Sequence, residues 1–426
     1  MNKSLKHISL SANKINKRLD DHPAITTLFV ILICAVIIIL RKPGIFSLPQ
    51  FWAEDGVVWF SQAYNLGFWH TIFLPYSGTF SLATRLIGSF AVLFPIKYAP
   101  LIFNIAAFSA QLLPVFLINS SRLKKIVRYR LVAILASLIL VCIPNSSEVF
   151  VNLTNIQWHL GITAILILIA GPPRNIYWKI FDIAALLLVG LTGPLSLVLL
   201  PVALLVWLRE RKSNNLTNLI VVVTTSLLQL VSLFVIEPGQ RGGASPSFID
   251  SIEMWVGQVF TSGILGDQHL YTFYRGPLPY LIFALGLFII IYAIRCGPRY
   301  MGYIWLYAIT LYALMLVSLK AVKGSDVWAV LIQQGAGQRY WFILIFIWLM
   351  TLLWVTLAAR DLIMRTICGI FLLLLIFVGI PSSWKIPSQP NKNYTYYAQQ
   401  FNSLHKGQVL KIPINPSGWT VILKKH

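Results

Sequence analysis

AITTLFVILICAVIIILR, residues 24–41, runs from Ala24 to Leu40 without a charged side chain and closes on Arg41. A helix needs about 20 apolar residues to cross roughly 30 Å of bilayer hydrocarbon, so this stretch reads as a membrane span. Before it stand Lys3, Lys6, Lys14, Lys17 and Arg18, which by the positive-inside rule hold the N-terminus in the cytoplasm. The long basic arm and the length of the apolar run argue against a cleaved signal peptide, so 24–41 is expected to be a permanent helix.

The rest of the chain repeats the pattern. Of 426 residues, 57% are hydrophobic and 11% charged, and mean hydropathy is +0.75; a water-facing surface needs far more charge, which excludes a soluble globule. Transmembrane strands would show alternating runs of about ten residues, whereas the apolar stretches here are unbroken. The expected fold class is therefore an all-α polytopic membrane protein. Spans are predicted near 24–41, 99–118, 131–147, 159–172, 178–193, 194–208, 216–236, 277–295, 300–319, 340–357 and 366–381. Residues 1–381 then form a transmembrane domain, and 382–426 a short tail outside.

The net charge of +21 would suggest nucleic acid in a soluble protein, but its distribution over the loops points to topology and to no nucleic-acid partner. The loops that should be cytoplasmic carry Arg122, Lys124, Lys125, Arg128 and Arg130; Arg174 and Lys179; Arg209, Arg211 and Lys212; Arg295 and Arg299; Arg360 and Arg365. Eleven spans satisfy that rule at every inner loop and leave the C-terminus outside. Segment 79–96 is apolar but contains Arg85 and Pro95. If it crossed, the Arg122–Arg130 cluster would fall outside, so it is expected to be an amphipathic or re-entrant helix with Arg85 turned toward water or headgroups. Cys34, Cys142, Cys296 and Cys368 have neither metal-site nor disulfide-framework spacing and read as buried thiols.

Three stretches project outward: 42–98, a Gly- and Pro-bearing loop at 237–276, and the tail from 382. Long loops tend to carry function. In the tail, Val409–Ile414 and Trp419–Leu423 flank Asn415-Pro416-Ser417-Gly418, the pattern of a β-hairpin. No inverted repeat of the kind found in many transporters is visible.

Passing a sugar from a phosphate carrier to a hydroxyl needs a carboxylate to take the proton and cations to hold the departing phosphate. Glu54 and Asp55, in Phe51-Trp52-Ala53-Glu54-Asp55-Gly56, are the candidate bases, with Asp55 ahead of Glu54; the plain alternative is a first-turn acid of a helix starting near Val57. Glu148 ranks third, as a carboxylate capping a loop. Arg339, in Gln338-Arg339-Tyr340-Trp341, can present a planar fork of donors to phosphate, with Lys320 and Arg85 in support and Lys323 nearby; an interfacial anchor is the alternative. Gln157, Trp158 and His159, together with Asp267, His269 and Tyr340, suit hydrogen bonding and stacking with a sugar or acceptor. Turn chemistry explains Asn152–His159 nearly as well, and the turn alone accounts for Thr192-Gly193-Pro194. No spacing specifies zinc; a divalent metal held by Asp267 with a first-loop acid is the alternative to a site with no cofactor.

The sequence resembles the GT-C superfamily of polyprenyl-phosphate-sugar-dependent glycosyltransferases. Within it, Trp52–Gly56, Pro75-Tyr76-Ser77-Gly78 followed by Arg85-Leu86-Ile87, Asn155–His159, Thr192-Gly193-Pro194, Arg339-Tyr340 and Ile414–Trp419 resemble the phage-type O-antigen glucosyltransferases that convert bacterial serotype. The likeness runs from residue 24 into the tail. It implies a bundle with outer-face juxtamembrane helices and a donor sugar, glucose, on undecaprenyl phosphate. It also implies a hydroxyl of lipid-linked O-antigen as acceptor and the periplasmic face of a Gram-negative inner membrane, among membrane lipids, as the place of reaction. The family's early acidic position maps onto Asp55 or Glu54. The pair here is contiguous, where some relatives carry a spaced Asp-X-Asp, and the tail is shorter than a full outer domain. The competing functions are a lipid-linked sugar flippase, which should line a path through the bundle with polar groups, and an O-antigen polymerase or ligase. Asp182 is nearly the only acid close to a span, which disfavours transport.

Overall fold

A computed structural model describes residues 16, 19–236, 246–318 and 327–426, apart from the side chains of His269 and Ser318. The chain is mostly helical. Helices of ten or more residues are α1 (Pro23–Arg41), α2 (Leu82–Ala91), α3 (Ala99–Asn119), α4 (Arg130–Cys142), α5 (Ile156–Ile169), α6 (Ile176–Gly190), α7 (Leu195–Glu210), α8 (Ser213–Val231), α9 (Leu278–Cys296), α10 (Arg299–Ser318), α11 (Gln338–Ala358) and α12 (Leu362–Leu374). All eleven predicted spans fall on helices, and α2 is the expected short helix of segment 79–96.

Seven of the helices, α1, α3 and α8–α12 with their 3₁₀ or π-helical extensions, are long and apolar enough to cross a membrane. The chain is a multi-pass membrane protein. Helices α4–α7 have 13 to 16 residues, about 20–24 Å, short of the roughly 30 Å core. Helix α4 stops at Cys142 and not at 147 because Ile143 precedes Pro144 and takes up extended backbone, as residues before proline do. Helix α5 ends before Gly171-Pro172-Pro173.

A helix apolar on every side belongs in the interior. Helix α11 meets that description, and 72% of its span window is buried, against 22% for α1 and 28% for α9 and α12. Helices α1 and α9 turn apolar side chains such as Leu28, Phe29 and Phe288 outward, as lipid-facing helices do. Cys34, Cys142 and Cys368 are buried as expected, but Cys296, the last residue of α9, is exposed.

Polar ties sort the segment ends into two faces. On the upper face, Arg41 donates to the carbonyls of Val141, Ile143, Ser383 and Trp384. One guanidinium thereby satisfies carbonyls at the end of α4 and just past Ser382, where the helical continuation of α12 ends, groups that helix ends leave without partners. On the lower face, Arg122 forms a bidentate pair with Asp182, both bonds 2.8 Å, and Asp20 meets Lys124 and Arg130.

Of the stretches expected to lie outside, one differs from expectation and one matches it. The part of 237–276 that is described is no open loop: Phe248–Met254, Trp255–Thr261 and Ser262–Leu265 form one interrupted helix, with Val256, Val259 and Phe260 buried. Its apolar run packs on α11, and Gln258 donates to the carbonyls of Leu331 and Gln333 while accepting from Asn145. The tail holds the predicted hairpin as β1 (Val409–Pro413) and β2 (Thr420–Lys424), antiparallel with Lys411 opposite Ile422.

Candidate active site

The acidic motif is held from three sides. Ala53, at φ +43, donates its amide to Asn415, and the Asn415 amide donates to Phe51. The tail thus clamps the loop by its backbone. Gly56 makes this approach possible: a Cβ there would lie 2.6 Å from Val421 and 2.9 Å from Ile414. A left-handed residue other than glycine is strained and persists only where the surroundings enforce it. Ala53, immediately before Glu54, and the β-branched Val151, at φ +44, are two such places.

Residues 145–155 form the hub. Thr154 donates its amide (2.9 Å) and hydroxyl (2.7 Å) to Asp55 Oδ1, and Trp59 donates to the same hydroxyl. Asp55 is buried, and desolvation raises its carboxyl from 3.8 to about 7 against the opposing Thr154 bonds. Lys42 sends its ammonium to the carbonyls of Phe150 and Val151 and favours the ionised form of Asp55 by its charge. Glu148 binds the Arg339 guanidinium and, at 3.0 Å, its amide. Gln338 Oε1 accepts from Ser147 and from the Glu148 amide, docking the hub onto the first turn of α11.

Glu54 is half-buried and, among the described residues, its side chain makes no hydrogen bond; it interacts electrostatically with both Asp55 and Arg339. Two carboxylates, Glu148 and Glu54, therefore act on one guanidinium. Arg339 also lies over the Tyr340 ring, at 4.8 Å, and Tyr340 meets Trp158 edge to face at 5.7 Å. Trp158, Tyr340 and Gln157 line a cavity of about 400 Å³ whose other walls include Leu230 of α8, Phe234 of its π-helical continuation, and Leu311 and Leu314 of α10. Gly193, at φ +74, lets Gln157 pack against the chain there: a Cβ would lie 2.0 Å from Gln157 Oε1. The Thr192–Pro194 corner is thus more than a turn, since the Gly193 amide also donates to Phe80.

Several expected site residues lie elsewhere. Arg85 does not face water or headgroups: it is buried, donates to Gln62 and stacks over Trp59 at 4.9 Å, because the outer helices fold back over it. His159 is also interior, its Nε2 donating to the Val149 carbonyl and its ring against Phe342. Asn152 and Asn155 donate to the Glu148 carbonyl and so brace the hub. Asp267 sits near Gly335, with burial raising its carboxyl. Lys320 and Lys323 lie outside the described residues, as does the side chain of His269. Among the described residues no group of three or more His, Cys, Asp or Glu side chains gathers as a metal site would.

Sequence reasoning passed over Lys42 and underrated Glu148. A signal for Lys42 existed: Arg41-Lys42 is a basic pair at the end of α1 where the positive-inside rule expects none. For Glu148 there was none beyond its position in a loop. The fold and site together define a helical multi-pass membrane protein with a partly buried acid–cation cluster at one face. Comparison with known proteins returns no significant match, whether to a family model, a curated protein or a solved structure.

Proposed function

We propose that this chain is an inner-membrane glycosyltransferase that moves a sugar, glucose by the resemblance, from undecaprenyl phosphate to a hydroxyl of lipid-linked O-antigen on the periplasmic face. The observation that carries the reading is the junction of Arg339, the two acids Glu148 and Glu54, and an apolar-walled cavity lined by Gln157, Trp158 and Tyr340. Apolar walls suit a polyprenyl chain, the indole and amide suit a sugar, and the guanidinium suits the phosphate.

In this reading Glu54, and not Asp55, is the base. It keeps access to solvent beside Arg339, whereas Asp55 is sealed against Thr154. Glu54 takes the acceptor hydroxyl proton as the oxygen bonds to the anomeric carbon; the bond from that carbon to the phosphate oxygen breaks, and its electrons leave with the phosphate. Arg339, released in part from Glu148, stabilises that charge. Asp55 positions Glu54 by anchoring the loop to the hub. The donor arrives already activated, so the reading requires no soluble cofactor.

A flippase would need polar groups along the bundle. The buried ionisable side chains among the described residues gather toward the two faces: Arg41, Lys42, Asp55, Arg85 and His159 above, Arg122, Arg130 and Asp182 below. That distribution favours transfer over transport. The eleven-span threading puts the upper face outside; reporter fusions after residues 130, 212 and 365 should then read cytoplasmic and those after 60, 260 and 400 periplasmic, and a cytoplasmic reading at 260 would refute it. The activity test is expression in a host making O-antigen, with and without a polyprenyl-phosphate-glucose synthase, followed by polysaccharide analysis. Glucosylation should require both proteins and fall at least about a hundredfold in Glu54→Gln. Unmodified polysaccharide from the parent chain with donor present would overturn the reading.

A further inference from the structure

The lower face holds a second cavity that the transfer reading does not use. It measures about 490 Å³ and is walled by apolar side chains of α4, α5, α10 and α11. Along α11 it reaches from Ile343 to Ala358, about 22 Å at 1.5 Å per residue, more than the roughly 15 Å depth of one leaflet's hydrocarbon. Its lining includes Lys125, Arg128 and Tyr129 from the α3–α4 connection and Tyr300 from the start of α10.

The charges around this cavity are not equivalent. Arg122 is committed to Asp182, and Lys124 and Arg130 to Asp20. Lys125 and Arg128 are exposed and, among the described residues, have no carboxylate partner; Arg128 only lies over the Tyr129 ring at 5.7 Å. Residues 1–19 contain no Asp or Glu that could supply one. Two cations with no carboxylate partner among the described residues therefore stand beside a slot deep enough for an acyl chain, with tyrosines at headgroup level as membrane interfaces favour.

We infer that this groove binds an anionic phospholipid of the lower leaflet, its phosphate on Lys125 and Arg128 and an acyl chain along α11. The ligand is complementary in both charge and shape, whereas a zwitterionic lipid would leave the two cations uncompensated. The inference stands apart from the transferase reading and holds or fails without it.

The test is native mass spectrometry of the purified full chain, titrated with phosphatidylglycerol and, separately, phosphatidylethanolamine carrying the same acyl chains. The expected result is retention of one phosphatidylglycerol, with phosphatidylethanolamine at least about tenfold weaker. K125E/R128E should weaken phosphatidylglycerol by about thirtyfold or more, and Ala136→Trp, which places an indole in the slot, should abolish its retention. The charge-reversed positions are exposed, so that variant remains decisive even where the filled groove does not fold. Equal retention of the two lipids, or undiminished phosphatidylglycerol binding in K125E/R128E, would overturn the inference. So would a dimer that forms through this face with no lipid bound.

Discussion

Replacing Asp55 by Asn removes a charge that the fold holds at a cost. Oδ1 stays available to the Thr154 amide and hydroxyl, so the loop keeps its anchor. Burial raises the Asp55 carboxyl from 3.8 to about 7, and the linkage sign follows from that. Between those values the folded protein retains the proton while the unfolded chain has released it, so stability falls as pH rises through the window. At about 1.4 kcal/mol per pH unit the full excursion is about 4 kcal/mol, an upper figure. Lys42, lowered by burial to about 8, responds above this window and does not mask it. Thermal unfolding of the detergent-purified protein, followed by tryptophan fluorescence from pH 4.5 to 8, should show the parent losing stability relative to Asp55→Asn as pH rises. The two should be alike near pH 4.5, and the variant should be the more stable at pH 8. Parallel curves across the range would show that Asp55 does not titrate as a buried acid. Because Asp55 positions and Glu54 reacts in our reading, Asp55→Asn should also keep measurable transfer where Glu54→Gln does not.

Further consequences follow from other contacts. Arg339→Ala should lower transfer about a hundredfold, and Arg339→Lys should restore part of it because a point charge lacks the planar fork; full polysaccharide modification by the alanine variant would leave Arg339 only an anchor. Arg122→Leu or Asp182→Leu alone should destabilise by about 3–5 kcal/mol by stranding a buried charge, whereas the double leucine variant should recover most of that loss, as a double-mutant cycle of unfolding would show. Gly56→Val should push Val421 and Ile414 away and release the tail, so limited proteolysis after residue 382 should accelerate while transfer is lost; an unchanged cleavage rate would contradict the close packing seen there.

The helical, multi-pass character of the chain was legible in the sequence, because a bilayer forces it into a local signal. Each apolar run must satisfy its own backbone bonds, so length and hydropathy suffice to mark residues 24–41 or 340–357 as helix. The acidic pair and Arg339 were legible for a related reason, since charge beside apolar sequence has few plain explanations. What only the tertiary structure decided was who meets whom. That Glu148 pairs with Arg339, that the Lys42 charge acts on Asp55, that Arg85 turns inward onto Trp59 and that the tail clamps Ala53 are all interactions set by tertiary packing. No periodicity or composition encodes them, because a side chain's partner is set by the packing of whole helices. The same holds for residues 248–265, whose apolar run is too short to announce a span and finds its place only against α11.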